Sequence, residues 1–203
     1  MTFKEAFGGR NPSHFQKNNF IQSFIISDTF LWTAWNLFTP IFAVFITNNI
    51  QGGNVAIAGS VVSVYLIMRV IFELLSGKLL TNQDEKKRFG TSILGMIILS
   101  IAYVGLAFTK TLISLFLFAA LTGVALGIAS PARLTLFSVH LDKNKESLEW
   151  GIHDAAIFIG MSLAGALGGF IASKYGFQDL FLIAAVVNLF AIVPYILYMK
   201  KKV

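Results

Sequence analysis

Residues Leu112–Val139 decide the fold: they read LISLFLFAALTGVALGIASPARLTLFSV, and Arg133 is the one charged residue among them. A helix needs about 20 consecutive, mostly apolar residues to cross the hydrocarbon core of a bilayer. Apolar runs of this length are typical of membrane spans and not of soluble domains. The stretch therefore predicts a transmembrane helix that contains a single basic residue, Arg133.

Five further apolar stretches flank this one, and the short gaps between them hold the turn-forming and charged residues. The predicted spans are Ile21–Thr47, Val55–Ser76, Thr91–Phe108, Leu112–Val139, Gly151–Ser173 and Leu180–Met199. We therefore expect an all-α integral membrane protein whose six-span unit occupies residues 20–199. Residues 1–19 are polar and should form a cytoplasmic tail or a surface helix, and residues 200–203 should form a C-terminal tail.

The composition of the 203 residues also favours a membrane protein, since 56% are hydrophobic and only 13% are charged. Soluble domains carry about 25% charged residues, and disordered chains combine low hydrophobicity with high charge. The net charge is +6, but the charges lie in short clusters between apolar runs, so we expect no nucleic-acid partner. The chain has no cysteine, which excludes a cysteine-based metal site. It also contains no recognisable catalytic motif. We therefore expect neither an enzyme nor a cofactor.

The distribution of lysine and arginine predicts the orientation of the spans. Twelve of these residues lie in the two termini and in the loops after the second and fourth spans, whereas only Lys110 and Lys174 lie in the opposite loops. The twelve are Lys4, Arg10, Lys17, Lys78, Lys86, Lys87, Arg88, Lys143, Lys145, Lys200, Lys201 and Lys202. Because cytoplasmic loops are enriched in basic residues, we expect a protein of the cell membrane with both termini in the cytoplasm.

Four ionisable residues lie well inside the predicted spans, where each costs at least about 2.5–3.5 kcal/mol near the centre of the bilayer. They are Asp28 on the first span, Arg69 and Glu73 on the second, and Arg133 on the fourth. By helical rise, three of them lie roughly 10–12 Å from the cytoplasmic end of their spans. The four-residue spacing predicts a pair between Arg69 and Glu73, and Asp28 and Arg133 then balance each other. The alternative is that these charges only hold the helices together.

One face of the first span combines polar and aromatic side chains at spacings of three and four residues. Its members are Asp28, Trp32, Trp35, Asn36 and Thr39. Such a face is typical of a solute cavity, although tryptophans also anchor helices at the membrane surface. Trp35 lies near the middle of the span, which favours the cavity. Pro40 should weaken the helix just after this face.

The fourth and fifth spans repeat small residues at intervals of four, which allows helix backbones to approach closely. These residues are Ala119, Gly123, Gly127, Ala156, Gly160, Ala164, Gly168 and Ala172. The third and sixth spans are apolar around most of their circumference, so we expect them to contact lipid. His153 and Asp154 come at the start of the predicted fifth span, and we expect a cap and a surface residue there.

Short motifs recur at the ends and along the faces of these spans. Gly77 and Leu79 precede a basic cluster after the second span, where Thr81 and Asn82 follow them. The other motif residues are Gly123 on the fourth span, Gly160, Gly168 and Gly169 on the fifth, and Gly176–Phe181 before the sixth. In this order the motifs resemble those of the major facilitator superfamily of secondary transporters, and specifically one of its six-helix halves. Thr81 and Asn82 replace an acidic and a basic residue of the family pattern.

The resemblance implies a half-bundle of two inverted three-helix repeats that transports a small solute by alternating access. Family members normally contain two such halves, so the missing half would come from a parallel dimer or from a second six-helix protein. The first and fourth spans would then line the cavity, and the second and fifth would form the moving interface. Two alternatives are a non-transporting membrane scaffold or assembly subunit, and the solute-binding subunit of a larger transporter.

The same resemblance suggests roles for the residues singled out above. The predicted solute contacts are Trp32, Trp35 and Asn36. Asp28 is the predicted coupling site for a proton or another cation, with Arg69, Glu73 and Arg133 as electrostatic partners. The residues predicted to serve gating or helix packing are Gly77, Gly123, Gly160, Gly168 and Gly169.

Overall fold

A computed structural model describes residues 18–202, and throughout that range the regular structure is helical. Six of its helical segments are long and apolar enough to cross a membrane. We call them the first to sixth spans: Asn19–Asn49, Val55–Leu80, Glu85–Ala107, Leu112–His140, Glu146–Tyr175, and Phe177–Phe190 continued by Ile192–Lys202. The six predicted spans are confirmed, while the predicted tail or surface helix falls mostly on residues outside the described range.

Side-chain caps set the starts of the first four spans. Asn18, Asn54 and Asp84 each accept a hydrogen bond from a backbone amide of the first helical turn. Thr111 and Ser114 form a reciprocal capping box at the start of the fourth span. Such caps satisfy amides that have no partner within the helix. The third span consequently begins at Glu85, six residues before Thr91, the first residue of the predicted span.

Two spans are interrupted, and each interruption lies next to a proline. The first span changes to a 3₁₀ turn over Thr39–Ile41, at Pro40, before it resumes as Phe42–Asn49. The sixth span breaks at Ala191, three residues before Pro194, whose ring nitrogen cannot donate to the Phe190 carbonyl. The weakening predicted at Pro40 is confirmed.

The packing of the spans follows a repeated pattern. The first span packs mainly against the fifth and sixth, the fourth packs against the second and third, and the third packs against the sixth. Exchanging the first three spans with the last three leaves this pattern unchanged. That is the relationship expected of two repeats of three helices.

The spans differ strongly in how much of their surface the chain itself covers. In an 18-residue apolar stretch of each span, only 11% of the second span and 17% of the fifth are buried inside the chain. The corresponding shares are 50% for the third span and 44% for the sixth. The expectation that the third and sixth spans mainly face lipid therefore holds for one face only. Their other faces form the core, where the buried amide of Asn188 donates to the Met96 carbonyl and to the Ser100 hydroxyl.

Candidate functional site

The first and fourth spans are joined by a buried ion pair. Arg133 Nη2 donates to Asp28 Oδ1, and the two side chains are only 5% and 4% exposed. A buried charge of this kind requires a partner, because an isolated ion in a low-dielectric interior is very costly. The balance of charge predicted between these two residues is thus a direct contact.

The fifth span adds a histidine to this pair. His153 Nε2 lies 2.9 Å from Asp28 Oδ2, and Nδ1 lies 3.1 Å from Asp154 Oδ1. We call Asp28, Arg133 and His153 the interhelical cluster, since each comes from a different span. Asp154 stands at its edge, with a side chain that is 57% exposed.

The expectation that His153 is a cap residue near the surface is wrong, since its side chain is only 6% exposed. The physical reason is the start of the fifth span, which begins at Glu146 and not at Gly151. His153 therefore lies two turns into the helix and faces the first span. The sequence holds a signal for the true start, because Glu146 and Glu149 suit the positive end of a helix dipole.

Three aromatic rings surround the imidazole of His153. The ring centroids of Phe137, Trp150 and Phe24 lie 5.0, 5.5 and 5.6 Å from it. These rings come from the first, fourth and fifth spans and leave the imidazole little freedom to turn.

A second charged group lies entirely on the second span. Arg69 Nε donates to Glu73 Oε2 at 3.3 Å, and Arg69 Nη1 donates to the Tyr65 hydroxyl at 3.0 Å. The side chains of Arg69 and Glu73 are 26% and 36% exposed. We call them the second-span pair, and the pairing predicted from their spacing is confirmed. Tyr65, four residues before Arg69, was missed by the sequence reasoning, although the spacing alone could have indicated it.

A cavity of about 340 Å³ is lined by the interhelical cluster and by Arg69 of the second-span pair. Its ionisable lining residues are Asp28, Arg69, Arg133, His153 and Asp154, and its other aromatic lining residues are Trp32 and Phe158. Four of the seven residues predicted for solute contact or coupling therefore meet at one site. Two guanidinium groups beside an indole ring form a surface suited to an organic anion.

The predicted polar-aromatic face of the first span is divided between two cavities. Trp35 and Thr39 line a second, more apolar cavity of about 440 Å³, in which the rings of Trp35 and Tyr65 lie 5.2 Å apart. Asn36 lies between the first and fifth spans, where its amide donates to the Met161 carbonyl at 2.7 Å. Helical spacing placed these residues on related faces, but it could not show that Asn36 bonds to the neighbouring fifth span.

Several glycines lie where two helix backbones touch. A methyl group at Gly123 would overlap the Tyr65 carbonyl oxygen, and one at Gly168 would overlap the Leu37 carbonyl oxygen. A methyl group at Gly160 would meet the Thr33 hydroxyl. Small residues are favoured at such close approaches between membrane helices.

The two other glycines singled out by the sequence are less confined. A methyl group at Gly77 would lie 4.0 Å from the Pro131 side chain, which is ordinary contact, and one at Gly169 would meet no atom within 4 Å. Close packing therefore explains Gly123, Gly160 and Gly168, but not Gly169.

Comparison with known proteins identifies similar chains. A family model described as Major Facilitator Superfamily matches residues 24–203. The 4-hydroxybenzoate transporter PcaK of Acinetobacter baylyi is 33% identical over 132 residues, which are 62% of this chain and 27% of that protein. The crystal structure of the POT family transporter PepTSo superposes with a TM-score of 0.78 at 16% identity and covers 89% of this chain and 37% of that one. This chain thus matches only about a third of either relative, and the structural likeness shows a shared fold.

Proposed function

The chain belongs to the major facilitator superfamily, and on that premise we propose that it is a six-helix half of a secondary transporter that moves a small solute by alternating access. The observation that carries the proposal is the cavity in which Asp28, Arg133, His153 and Arg69 converge beside Trp32. Ionisable side chains inside a membrane protein mark solute or ion pathways, because their burial is otherwise costly. The interhelical cluster joins three spans, so it is suited to sense their relative movement.

We further propose that a second six-helix half covers this cavity, most simply in a parallel dimer. A charged surface cannot face the hydrocarbon of the bilayer, and the second and fifth spans leave most of their apolar surface uncovered by this chain. These two spans would form the moving interface. Crosslinking in bilayers tests the dimer, and a chain that transports while strictly monomeric would contradict it.

The solute that fits the cavity is a small organic anion with an aromatic ring. The similar protein PcaK is a 4-hydroxybenzoate transporter, and 4-hydroxybenzoate combines a carboxylate with an aromatic ring. Arg69 and Arg133 would attract the carboxylate, and Trp32 offers an aromatic surface for the ring. Trp35 and Asn36 would contact a solute during its passage, and Asp28 would couple that passage to an ion.

Counterflow into proteoliposomes that contain only this chain tests the proposal. Vesicles preloaded with unlabelled 4-hydroxybenzoate should take up the labelled compound faster than protein-free vesicles. A neutral aromatic alcohol of similar size should compete poorly, because it gives the two arginines no charge to bind. Counterflow that is absent for a panel of aromatic and aliphatic acids, with correctly folded protein, would contradict transport by this chain alone.

The proposed orientation has both termini in the cytoplasm of the cell. The chain contains no cysteine, so single cysteines can be introduced without further changes. An impermeant thiol reagent applied outside intact cells should label Asn49→Cys and should leave Lys87→Cys unlabelled. The opposite labelling pattern would reverse the proposed topology.

One observation favours a second candidate, a non-transporting scaffold or assembly subunit. The Asp28–Arg133 pair is almost fully buried, as a purely structural link between helices would be. A scaffold would neither bind nor move the labelled acid, whereas the solute-binding subunit of a larger transporter would bind it without counterflow. Equilibrium binding measured beside counterflow distinguishes the three.

A further inference from the structure

We propose that His153 carries the proton that is coupled to solute movement, held between Asp28 and Asp154. This inference rests on the proposed transport function and assigns the ion site within it. The geometry on which it depends is the placement of one carboxylate oxygen at each ring nitrogen, 2.9 Å from Nε2 and 3.1 Å from Nδ1.

The two contacts together favour one protonation state of the imidazole. A neutral imidazole has one N–H donor and one acceptor, whereas the imidazolium has two donors. Carboxylate oxygens only accept hydrogen bonds when they are ionised. Both contacts are therefore satisfied at once when His153 holds two protons and both aspartates are ionised.

The charged groups around the ring agree with that state. Asp28 faces the imidazole from the first span, and Asp154 faces it from the fifth span, to which His153 itself belongs. Arg133 of the fourth span donates to the Asp28 carboxylate. With His153 protonated, the formal charges of these four residues cancel. Arg69 of the second span lines the same cavity but is paired with Glu73. On the sixth span, the ring of Tyr195 lies behind Phe24, 6.1 Å from its ring centroid.

The aromatic surroundings add a second, independent observation. The rings of Phe24, Phe137 and Trp150 lie within 5.0–5.6 Å of the imidazole. Aromatic faces attract cations at such distances. The same rings cover much of the imidazole, which meets the cavity beside Asp154, and the 57% exposed carboxylate of Asp154 offers its route to solvent.

Release of the proton follows this route. The Nδ1–H bond breaks as an O–H bond forms on Asp154, and that O–H proton then passes to a water molecule of the cavity. His153 is left as the neutral tautomer whose Nε2–H still donates to Asp28. The cluster with Asp154 changes from zero net formal charge to one negative charge.

Coupling to an anionic solute arises at Asp28. A solute carboxylate that binds Arg133 would displace Asp28 from the guanidinium. The freed Asp28 would keep a cationic partner only while His153 is protonated. Proton and anion therefore bind cooperatively, and linkage requires that each raises the affinity for the other by the same factor.

The first test is independent of transport. Nitrogen NMR of histidine side chains in the full chain, reconstituted in nanodiscs at neutral pH, reports whether each ring is neutral or doubly protonated. The chain has three histidines, so His14→Gln and His140→Gln assign the remaining signal to His153 without altering the cluster. An imidazolium signal that disappears in Asp28→Asn supports the proposal, and a neutral His153 beside an intact Asp28 overturns it.

The second test measures linkage with 4-hydroxybenzoate as the probe. Between acid and alkaline pH, over a range in which the probe keeps its own charge, its affinity for the wild-type chain should fall by about 5- to 150-fold. His153→Gln should remove this dependence on pH. His140→Gln is the matched control, because His140 contacts Glu85 at 3.3 Å and does not line the cavity.

The outcomes separate the two proposals. Affinity that changes with pH equally in His153→Gln and in wild type overturns His153 as the proton site. Absence of any 4-hydroxybenzoate binding contradicts the proposed solute, and the NMR measurement then still decides the protonation of His153. Should His153→Gln fail to fold, Asp154→Asn applies the same test, since it removes, at an exposed position, one of the two carboxylates that stabilise the proton on His153.

Discussion

The interhelical cluster and the second-span pair each match a carboxylate with a guanidinium, but they are built in different ways. Asp28, Arg133 and His153 come from three spans and are 4–6% exposed. Arg69 and Glu73 lie one turn apart on one helix and are 26% and 36% exposed. A movement of the spans relative to one another must alter the cluster, whereas it leaves the second-span pair intact. In the proposed mechanism, the cluster would therefore respond to conformation and the pair would supply a constant charge distribution.

The largest expected effect is that of Arg133→Gln. It leaves the Asp28 carboxylate buried with His153 as its remaining partner, and removal of one member of a buried pair typically costs about 3–5 kcal/mol. The free energy of unfolding of the purified protein in mild detergent measures this loss. The double variant Asp28→Asn with Arg133→Gln should recover part of it, because neither charge then remains. If Arg133→Gln were as stable as wild type, the interhelical cluster would contribute no more to stability than the second-span pair, contrary to this prediction.

An intermediate effect is expected for Gly127→Ala, which tests how the second-span pair is held in place. A methyl group at Gly127 would lie 2.7 Å from the Arg69 carbonyl oxygen and 2.8 Å from Phe72 Cβ. Overpacking of this kind costs about 1–3 kcal/mol, and it would move the second span away from the fourth.

Gly169→Ala is the matched control, because a methyl group there meets no atom within 4 Å. Its free energy of unfolding should stay within about 0.5 kcal/mol of wild type. Equal loss of stability in the two variants would show that helix propensity or lipid contact, and not backbone approach, governs both positions.

The smallest expected effect is that of Glu73→Gln. Partly exposed pairs with a four-residue spacing contribute about 0.2–1 kcal/mol. A double-mutant cycle with Arg69→Gln should return a coupling energy in that range. A coupling energy as large as that between Asp28 and Arg133 would show that the second-span pair contributes as much to stability as the interhelical cluster does, which contradicts the proposed difference between them.

The sequence was sufficient for the spans and for the local charge pairing. Hydropathy located all six helices, and helical spacing paired Arg69 with Glu73, since both depend only on residues close in the chain. The charge balance suggested that Asp28 meets Arg133, although 105 residues separate them. These predictions succeeded because a membrane leaves few ways to satisfy a buried charge.

The parts that the sequence missed depend on tertiary packing. His153 was expected near the surface, because an apolar window started the fifth span at Gly151 although the acidic residues before it belong to the helix. The contact between the Asn36 amide and the Met161 carbonyl of the fifth span was not predicted, because 125 residues separate the two. Trp35 was expected in one cavity with Asp28, but it lines a second cavity together with Tyr65 of the second span. Hydrophobic periodicity carries no information about which helices are neighbours.

The most direct test of the account is the split between accumulation and exchange in Asp28→Asn. This change keeps the shape of the side chain and removes the charge that joins Arg133 to His153. Proteoliposomes with an imposed proton gradient measure accumulation of labelled 4-hydroxybenzoate, and the same vesicles without a gradient measure counterflow, each per folded molecule. The account predicts that accumulation disappears while counterflow persists. Full gradient-driven accumulation by well-folded Asp28→Asn protein would contradict it and would leave the interhelical cluster with a role in packing alone.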